Sequence, residues 1–252
     1  MNRQAFSRRA FDRQAFRRAF GSTTAPTESP LQQAVIAAWD MQEESGPLLP
    51  AKGGIEIPAF NSPGFVSTPF GALTARSVED AQRKFEGPTP ILFDAPGKTL
   101  RIFVYAAPSG FGFERTIGIG PTTSNGQTAS TNGHAAVRIS GNNGAAQFLI
   151  RDTSNTQRAS AVTLPSYEAG WYRLEFGLLL NGKIFVHATR VDTGETAFSE
   201  NDFTTAQIPP NTDFSLNTRD EVPHYMMASF LGRPFTPEER TADLTPRLLA
   251  DL

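Results

Sequence analysis

Glu200 and Asp202 come closest in this sequence to the paired carboxylates that sugar hydrolysis needs. Retaining glycosidases hold a nucleophile and an acid about 5–5.5 Å apart, and residues two positions apart share one face of a β-strand. The composition around Glu200 and Asp202 is also typical of a solvated loop, and we interpret their charges in that way. Glu175 stands alone on the outward face of a predicted strand, and a lone carboxylate does no paired acid–base work.

The three histidines do not form a metal motif. His134, His187 and His224 lack the spacing of a ligand set, and the chain has no cysteine to supply a thiolate. We interpret His187 as a packed or surface residue of a strand. The sequence also lacks a Gly-x-Ser-x-Gly elbow, a phosphate-binding loop and a dinucleotide fingerprint. We therefore predict no catalytic residue, no metal site and no cofactor.

Sugar binding is the chemistry that the sequence leaves open. Saccharides bind to aromatic faces and to polar groups on the loops at the rim of a β-sandwich, and a Gly-Phe-Gly-Phe motif followed by Asn-rich loops offers both. The predicted glycan-binding residues are Phe111, Phe113, Asn125, Asn132, Asn142 and Asn143. The alternative is that these are ordinary solvated loops with phenylalanines of the core.

Residues 1–20, here called the arm, contain four near-copies of the tetrapeptide Arg-Gln/Arg-Ala-Phe. Six arginines and one aspartate give the arm a net charge of +5, so the rest of the chain carries −7 to reach the total of −2. Each Phe can bury its ring while each Arg meets an acid, which predicts docking onto a partner with repeated or symmetric pockets. The predicted contact residues are Arg3, Phe6, Arg8, Arg9, Phe11, Arg13, Phe16, Arg17, Arg18 and Phe20.

The spacing of the arm fits neither regular element. A five-residue step rotates by about 140° on a helix, which puts Phe11 nearly opposite the other three rings. On a β-strand, Phe11 would also lie on the opposite face, because its position is odd whereas those of the other three phenylalanines are even. We expect order in the arm to come from its partner. Two alternatives are a disordered tail and a mitochondrial presequence, and the presence of Met1 disfavours the second because presequences are removed.

Composition limits the remaining possibilities. A chain of 252 residues suits one all-β domain plus an arm. The absence of cysteine excludes a disulfide framework and fits assembly in a reducing cytoplasm. We expect no signal peptide and no membrane span from the apolar runs. A pI near 6.0 argues against a body that binds nucleic acid.

Hydrophobic periodicity divides the chain into a linker, residues 21–30, and a folded domain, residues 31–252. Apolar residues alternate over 98–107, 135–139, 146–151 and 171–180, which predicts antiparallel strands with one face on a core. Asn181-Gly182 between two such runs predicts a hairpin with a type I′ turn. Further strands are predicted at 183–191, 213–216 and His224–Leu231, with a turn at 192–195.

Helical patterns are short. Residues 78–85 could form a helical turn. Thr236, Pro237 and Glu239 have the spacing of a capping box, which predicts a short helix, and a second short turn is expected at 247–252. The pattern as a whole predicts an all-β, two-sheet antiparallel jelly-roll sandwich with an extended N-terminal arm and a short C-terminal helix.

Several short motifs resemble the concanavalin A-like (laminin G-like) jelly roll over residues 31–245. They are Ala37-Ala38-Trp39-Asp40, Glu43-Glu44-Ser45-Gly46, the hairpin from Gly170-Trp171 to Asn181-Gly182-Lys183, and the ending Phe230-Leu231-Gly232 to Thr236-Pro237-Glu238-Glu239. Glycosidases of that superfamily carry Glu-x-Asp-x-x-Glu, and here Thr205 replaces the last Glu, which implies no hydrolysis. Family members often bind Ca²⁺, but no residue here matches a ligand motif.

The arm is similar to terminal segments of tailed-phage structural proteins. With the jelly roll, this likeness implies a non-enzymatic virion protein, assembled in the host cytoplasm, whose arm binds capsid or tail proteins in a symmetric assembly. Its jelly roll would decorate the particle or bind cell-surface glycans. The second hypothesis is a carbohydrate-active enzyme or a free lectin with an incidental basic tail.

Overall fold

The computed structural model describes residues 28–78, 84–88, 93–106, 114–119, 135–140, 144–151, 157–166, 168–203, 213–218 and 224–251. Its strands are β1 Val35–Trp39, β2 Pro50–Lys52, β3 Ala59–Phe60, β4 Gly64–Ser67, β5 Thr74–Ser77, β6 Lys84–Pro88, β7 Thr99–Ala106, β8 Glu114–Ile119, β9 Ala135–Ser140, β10 Ala145–Arg151, β11 Gln157–Thr163, β12 Gly170–Leu178, β13 Ile184–Arg190, β14 Thr196–Asn201, β15 Asp213–Thr218 and β16 His224–Leu231. Two α-helices, α1 Pro30–Ala34 and α2 Pro237–Ala242, and a 3₁₀ turn, Leu249–Asp251, complete the described elements.

The strands form two stacked sheets. Sheet 1 has the order β14-β13-β12-β7-β16-β1-β2, with β5 also paired to β16 and β4 to β5. Sheet 2 has the order β11-β10-β9-β8-β15-β6-β3. Within the described ranges, every strand pair in both sheets is antiparallel. The predicted two-sheet jelly-roll sandwich with a short helix after the last long strand is therefore confirmed.

The main core lies between the sheets and follows the predicted alternation. Leu100 and Ile102 of β7, Leu174 and Phe176 of β12, and Val186 of β13 are fully buried there. Burial of each such side chain stabilises the fold by about 1.5–3 kcal/mol. As predicted, Trp171 lies near the start of a central strand, since β12 pairs with β7 on one side and β13 on the other.

The hairpin between β12 and β13 is present, but its predicted turn type is wrong. Gly182 has a φ of +82°, whereas Asn181 is not among the residues with positive φ, and a type I′ turn needs positive φ at both central residues. The amide of Gly182 donates to Leu179 O at 2.9 Å, and the amide of Leu179 donates to Lys183 O at 2.8 Å. The loop is therefore a three-residue connection that ends in a left-handed glycine.

Two other local predictions meet different outcomes. The capping box of α2 is confirmed, since Thr236 Oγ1 accepts from the amide of Glu239 at 3.2 Å and Glu239 Oε2 accepts from the amide of Thr236 at 2.9 Å. The helical turn at 78–85 is wrong at its end, because Phe85 lies in β6 and is fully buried in the main core. Residues 79–83 lie outside the described ranges.

A second capping box starts α1, close to the first residues that the structure describes. Ser29 Oγ accepts from the amide of Gln32 at 3.1 Å, and Gln32 Oε1 accepts from the amide of Ser29 at 2.7 Å. The linker predicted by composition therefore ends inside α1. The side-chain amide of Gln32 also donates to Leu249 O at 2.9 Å, which joins α1 to the 3₁₀ turn. In the described ranges the helices are short, and none has the length and apolar character of a membrane span.

We expect Gly177→Ala to destabilise the protein strongly. Gly177 has a φ of +151°, and a Cβ there would lie 2.1 Å from Lys98 O and 2.9 Å from the ring of Phe93. The backbone strain alone costs about 1–3 kcal/mol, and the contact with Lys98 adds to it because β7 would have to move. Urea unfolding curves would measure the loss.

Gly194→Ala is the matched control. Gly194 also has a positive φ, +73°, but a Cβ there meets nothing within 4 Å, so we expect only about 1–2 kcal/mol of strain. Equal losses for the two variants would contradict the steric argument for Gly177.

Candidate functional site

A row of charged residues crosses the outer face of sheet 1, the face turned away from sheet 2. Strand register sets the row, because Arg101 of β7 pairs with Glu175 of β12, and Glu175 pairs with His187 of β13. Arg173 lies two residues before Glu175 and therefore shares this face. All four residues are buried, so the outer face is not the solvated surface that the alternation predicts.

Residues 235–251, here called the covering segment, account for this burial. Phe235 and Leu249 pack with Leu31, Val35 and Leu231 on one side of the charged row. Leu248 packs on the other side, against a cluster that includes Phe103 and Trp171. The charged row thus lies beneath the covering segment, between two apolar contacts.

Glu175 is the centre of the charged row. Its Oε1 accepts from Arg101 Nε at 3.1 Å and from Arg101 Nη2 at 2.7 Å, and its Oε2 accepts from Arg240 Nε at 2.7 Å. Arg173 Nε lies 3.4 Å from Oε1. Both carboxylate oxygens are therefore engaged by guanidinium groups, one of which comes from α2.

A second carboxylate links the row to the covering segment. Asp243 Oδ2 lies 2.5 Å from Arg101 Nη1, and its Oδ1 accepts from Arg247 Nε at 3.1 Å and Nη2 at 3.0 Å. Arg173 Nη1 donates to the backbone carbonyls of Arg240 at 2.8 Å and Asp243 at 2.6 Å. These charged residues and the neighbouring histidine are here called the charge cluster. Its members are Arg101, Arg173, Glu175, Asp243, Arg240, Arg247 and His187.

Burial and charge act in opposite directions on the pKa of Glu175. Desolvation raises that pKa, but Arg101, Arg240 and Arg173 lower it, and the net pKa is below the usual 4.5. Desolvation, followed by Arg101, lowers the pKa of Arg173 to about 10. Glu175 therefore stays ionised near neutral pH and is not suited to be a general acid, which needs a pKa near the working pH.

His187 is a packed residue of its strand. Its Nδ1 lies 3.8 Å from Glu175 Oε2, beyond hydrogen-bond distance, and has no hydrogen-bond partner among the described residues. Desolvation lowers the pKa of His187 to about 4, because it outweighs the opposing effect of Glu175. The ring is therefore neutral at physiological pH. Among the residues that the structure describes, no group of three or more His, Asp or Glu could hold a metal ion.

An open cleft of about 310 Å³ adjoins the charge cluster. It lies between α2 and the β13–β14 hairpin. Its lining includes Arg173, His187, Thr196, Arg240, Thr241 and Leu244. The side chain of Arg240 is 23% exposed and belongs to this lining.

Glu200 and Asp202 do not form a catalytic pair. Glu200 lies on the edge strand β14 rather than in a loop, and its Oε1 is 2.5 Å from Lys183 Nζ across the hairpin. Asp202 follows the strand, with its side chain 93% exposed. One carboxylate is held by a surface ion pair and the other is in open solvent, so the two do not share one enclosed site.

The residues predicted to bind partners lie outside the described ranges. This applies to the arm residues Arg3, Phe6, Arg8, Arg9, Phe11, Arg13, Phe16, Arg17, Arg18 and Phe20, and to the glycan-binding residues Phe111, Phe113, Asn125, Asn132, Asn142 and Asn143. The strand ends next to the second group are described. Glu114 pairs with Ser140, and Ile119 pairs with Ala135, so segments 107–113 and 141–143 join one end of sheet 2 and segment 120–134 joins the other.

Sequence reasoning missed the charge cluster. The available pattern was three strands with charged residues on the face opposite their apolar residues, at Arg101, Arg173, Glu175 and His187. Asp243 and Arg240 carry no comparable pattern, because they contact the strands from 65 to 142 residues away along the chain.

Comparison with known proteins shows the fold alone. No family model matches the sequence, and no curated protein matches it. Similar solved structures include the receptor-binding domain of botulinum neurotoxin C/D mosaic serotype (TM-score 0.64, 8% identity, 84% of this chain and 51% of that chain). Others are the serotype G binding domain (0.63, 9%, 83% and 50%) and the serotype D ligand-binding domain in complex with N-acetylneuraminic acid (0.61, 7%, 84% and 51%). The chain thus spans about half the length of these domains, and its concanavalin A-like kinship stays a prediction.

We expect the free energy of unfolding to fall between pH 6.5 and pH 4. Unfolded His187 takes up a proton below its ordinary pKa of 6.5, whereas folded His187 does so only near its pKa of about 4. The unfolded state therefore binds more protons in this window and gains stability as the pH falls. Glu175 adds a loss below pH 4.5, as the pH falls through its lowered folded pKa.

Urea unfolding of the wild type and of His187→Gln at steps from pH 7.5 to pH 4 would measure this dependence. Above pH 7 the histidine is neutral in both states, so the two proteins differ there only in packing. Below pH 6.5 the curve of the variant should be flatter. Parallel curves throughout would exclude His187 as the titrating group.

Proposed function

We propose that this chain is a non-enzymatic attachment protein of a phage particle. Its β-sandwich binds cell-surface carbohydrate, and its arm binds other virion proteins of the capsid or tail. The observation that carries the proposal is the likeness of the sandwich to receptor-binding domains, one of which is described in complex with N-acetylneuraminic acid.

The shape of the body supports carbohydrate binding. In a two-sheet sandwich the loops at the sheet ends form a rim that can vary without disturbing the core. The predicted aromatic and asparagine residues of this chain belong to segments that join sheet 2 at its ends. The matched domains are about twice as long as this chain, so the sugar bound to one of them does not by itself assign a site here.

The described carboxylates support a non-enzymatic role. Glu175 is the deeply buried acid on the central strands, and guanidinium groups engage both of its oxygens. Glu200 and Asp202 are solvated or paired with Lys183. Paired-carboxylate hydrolysis needs two carboxylates that are free to act on one substrate, whereas Glu175 is held by arginines and Glu200 by Lys183.

The attachment point of the arm supports anchoring. The described chain begins beside α1, whose Leu31 packs in an apolar cluster and whose Gln32 is bonded to Leu249. Arg233 Nη2 also donates to Pro30 O at 3.4 Å. A segment that leaves a fixed point can position the body on a partner, and the net charge of +5 on the arm favours an acidic surface on that partner.

Purified protein should bind a subset of saccharides on a glycan array, and the double variant Phe111→Ala, Phe113→Ala should lose that binding. Sugar rings pack on aromatic faces, so removing both phenylalanine rings removes the apolar contact with the saccharide. Phe65→Ala is the matched control, because Phe65 is an exposed ring on β4, 44% exposed. Release of reducing ends from a bound saccharide, abolished by Glu200→Gln, would instead support the carbohydrate-active enzyme.

Changing Phe6, Phe11, Phe16 and Phe20 together to Ala should abolish incorporation into the particle. Each buried Phe contributes about 1.5–3 kcal/mol, whereas exposed arginine pairs contribute little and are screened by salt. Mass spectrometry of purified particles would give the copy number.

The thermal transition of the body serves as the control for the arm variant, and it should not change. If the variant reaches the wild-type copy number, or if residues 31–252 alone do so, the arm is not the anchor. If the wild-type chain is absent from purified particles but still binds saccharides, a free lectin replaces the virion protein.

A further inference from the structure

The charge cluster carries more positive than negative charge. Its arginines share two carboxylates as ion-pair partners. The arginines are Arg101, Arg173, Arg240 and Arg247, and the carboxylates are Glu175 and Asp243. His187 adds no charge at neutral pH, because burial lowers its pKa to about 4. The net charge of the cluster is therefore +2. The side chains of Arg240 and Arg247 are partly exposed, and Arg240 lines the cleft described above. Positive charge that is accessible in this way favours the binding of an anion.

Neighbouring carboxylates reduce this excess without cancelling it. Glu239 of α2 accepts from both terminal nitrogens of Arg233, at 2.7 and 2.5 Å, so its charge is balanced by that arginine. Glu195, in the turn that borders the cleft, accepts from Ser166 Oγ at 2.5 Å and lies near Thr193 Oγ1. These partners are neutral hydroxyls, so Glu195 lowers the excess by one charge and leaves it positive.

Two groups that line the cleft have unused hydrogen-bonding capacity. Arg240 uses Nε to hold Glu175, and in the described part of the chain its two terminal nitrogens have no hydrogen-bond partner. His187 is only 8% exposed, and its Nδ1 has no hydrogen-bond partner among the described residues. Because Nδ1 is enclosed beside Glu175, Arg240 is the group that can donate to a ligand in the cleft.

We propose that the cleft between α2 and the β13–β14 hairpin binds an oxyanion, a carboxylate or a sulfate group. Arg240 provides the planar pair of donors that matches two oxygens of such a group. His187 and Thr196 lie at the side of the cleft, and its volume of about 310 Å³ admits the anion together with part of the molecule that carries it. The same field repels metal cations.

The oxyanion can be a free ion or the acidic group of a saccharide. The saccharide source rests on the function proposed above, whereas binding of the free ion does not. Three probes separate these cases, namely sodium sulfate, N-acetylneuraminic acid and its neutral counterpart N-acetylmannosamine. Each would be titrated into the full-length, isotope-labelled protein at constant ionic strength and followed by amide chemical shifts.

Thr196→Glu tests the site without touching the charge cluster. Thr196 is an exposed residue of the edge strand β14 that lines the cleft, and a carboxylate there repels an anion. Over a few ångströms at the effective dielectric of a protein surface, this repulsion should weaken sulfate binding by about tenfold or more. Thr163→Glu, at an exposed position on β11 of sheet 2, is the matched control and should bind as the wild type does.

The titration of His187 gives a second readout. An anion in the cleft favours the protonated ring, so saturating sulfate should raise the titration midpoint of its imidazole. Glu175, Arg240, Arg173 and Arg101 are the other charged groups that act on this ring. A midpoint that sulfate leaves unchanged argues against an anion beside His187.

The outcomes are distinct. Saturable sulfate binding at residues of the cleft, lost in Thr196→Glu and kept in Thr163→Glu, supports the site. Stronger binding of N-acetylneuraminic acid than of sulfate, with the same dependence on Thr196, identifies an acidic saccharide as the source. Sulfate binding without any saccharide binding keeps the site and removes this support for the proposed function. Absence of saturable sulfate binding, or equal affinity in Thr196→Glu, overturns the site, and saccharide binding can still stand.

Discussion

The charge of Glu175 has to be kept in a place that water does not reach, and much of the described structure follows from that constraint. An ionised carboxylate loses several kcal/mol of hydration on burial unless cations and hydrogen bonds replace it. Here the replacements come from β7, β12 and α2, as Arg101, Arg173 and Arg240. Because α2 supplies one of them, the carboxylate also fixes where the covering segment lies. The arginines exceed what the two carboxylates need, so one arrangement holds the fold together and makes the adjoining cleft positive.

Local periodicity predicted most of the sandwich. Alternation places Leu100 and Ile102 in the core without any long-range information, and the capping box of Thr236 and Glu239 defines the start of α2 from four residues alone. The outer face could not be predicted in the same way. Alternation shows which side chains share a face, but it does not show what covers that face, and here the cover is a segment that follows the last long strand. The turn at Asn181 and Gly182 shows a similar limit, because its type depends on the strand register that the loop must close.

The candidate site was less predictable than the fold. To predict that Arg101, Glu175 and His187 form a row, one must know that β7, β12 and β13 are neighbours in the sheet. The sequence indicates only the pairing of β12 with β13, through the turn that joins them. Asp243 and Arg240 reach the row through contacts 65 to 142 residues apart in sequence, for which no periodic pattern exists. Glu175 was recognised as a single acid on an outward face. Its importance comes from partners that only the three-dimensional structure brings together.

The bond between Gln32 and Leu249 brings the beginning and the end of the described body to one corner. Leu249 is also held there by its amide, which donates to Asp40 Oδ1 at 3.1 Å. A linker at either end of the described body would therefore leave from the same corner. Joining the two ends there and opening a surface loop elsewhere would keep every strand pair, so the order in which the strands are encoded could change while the sandwich stays the same.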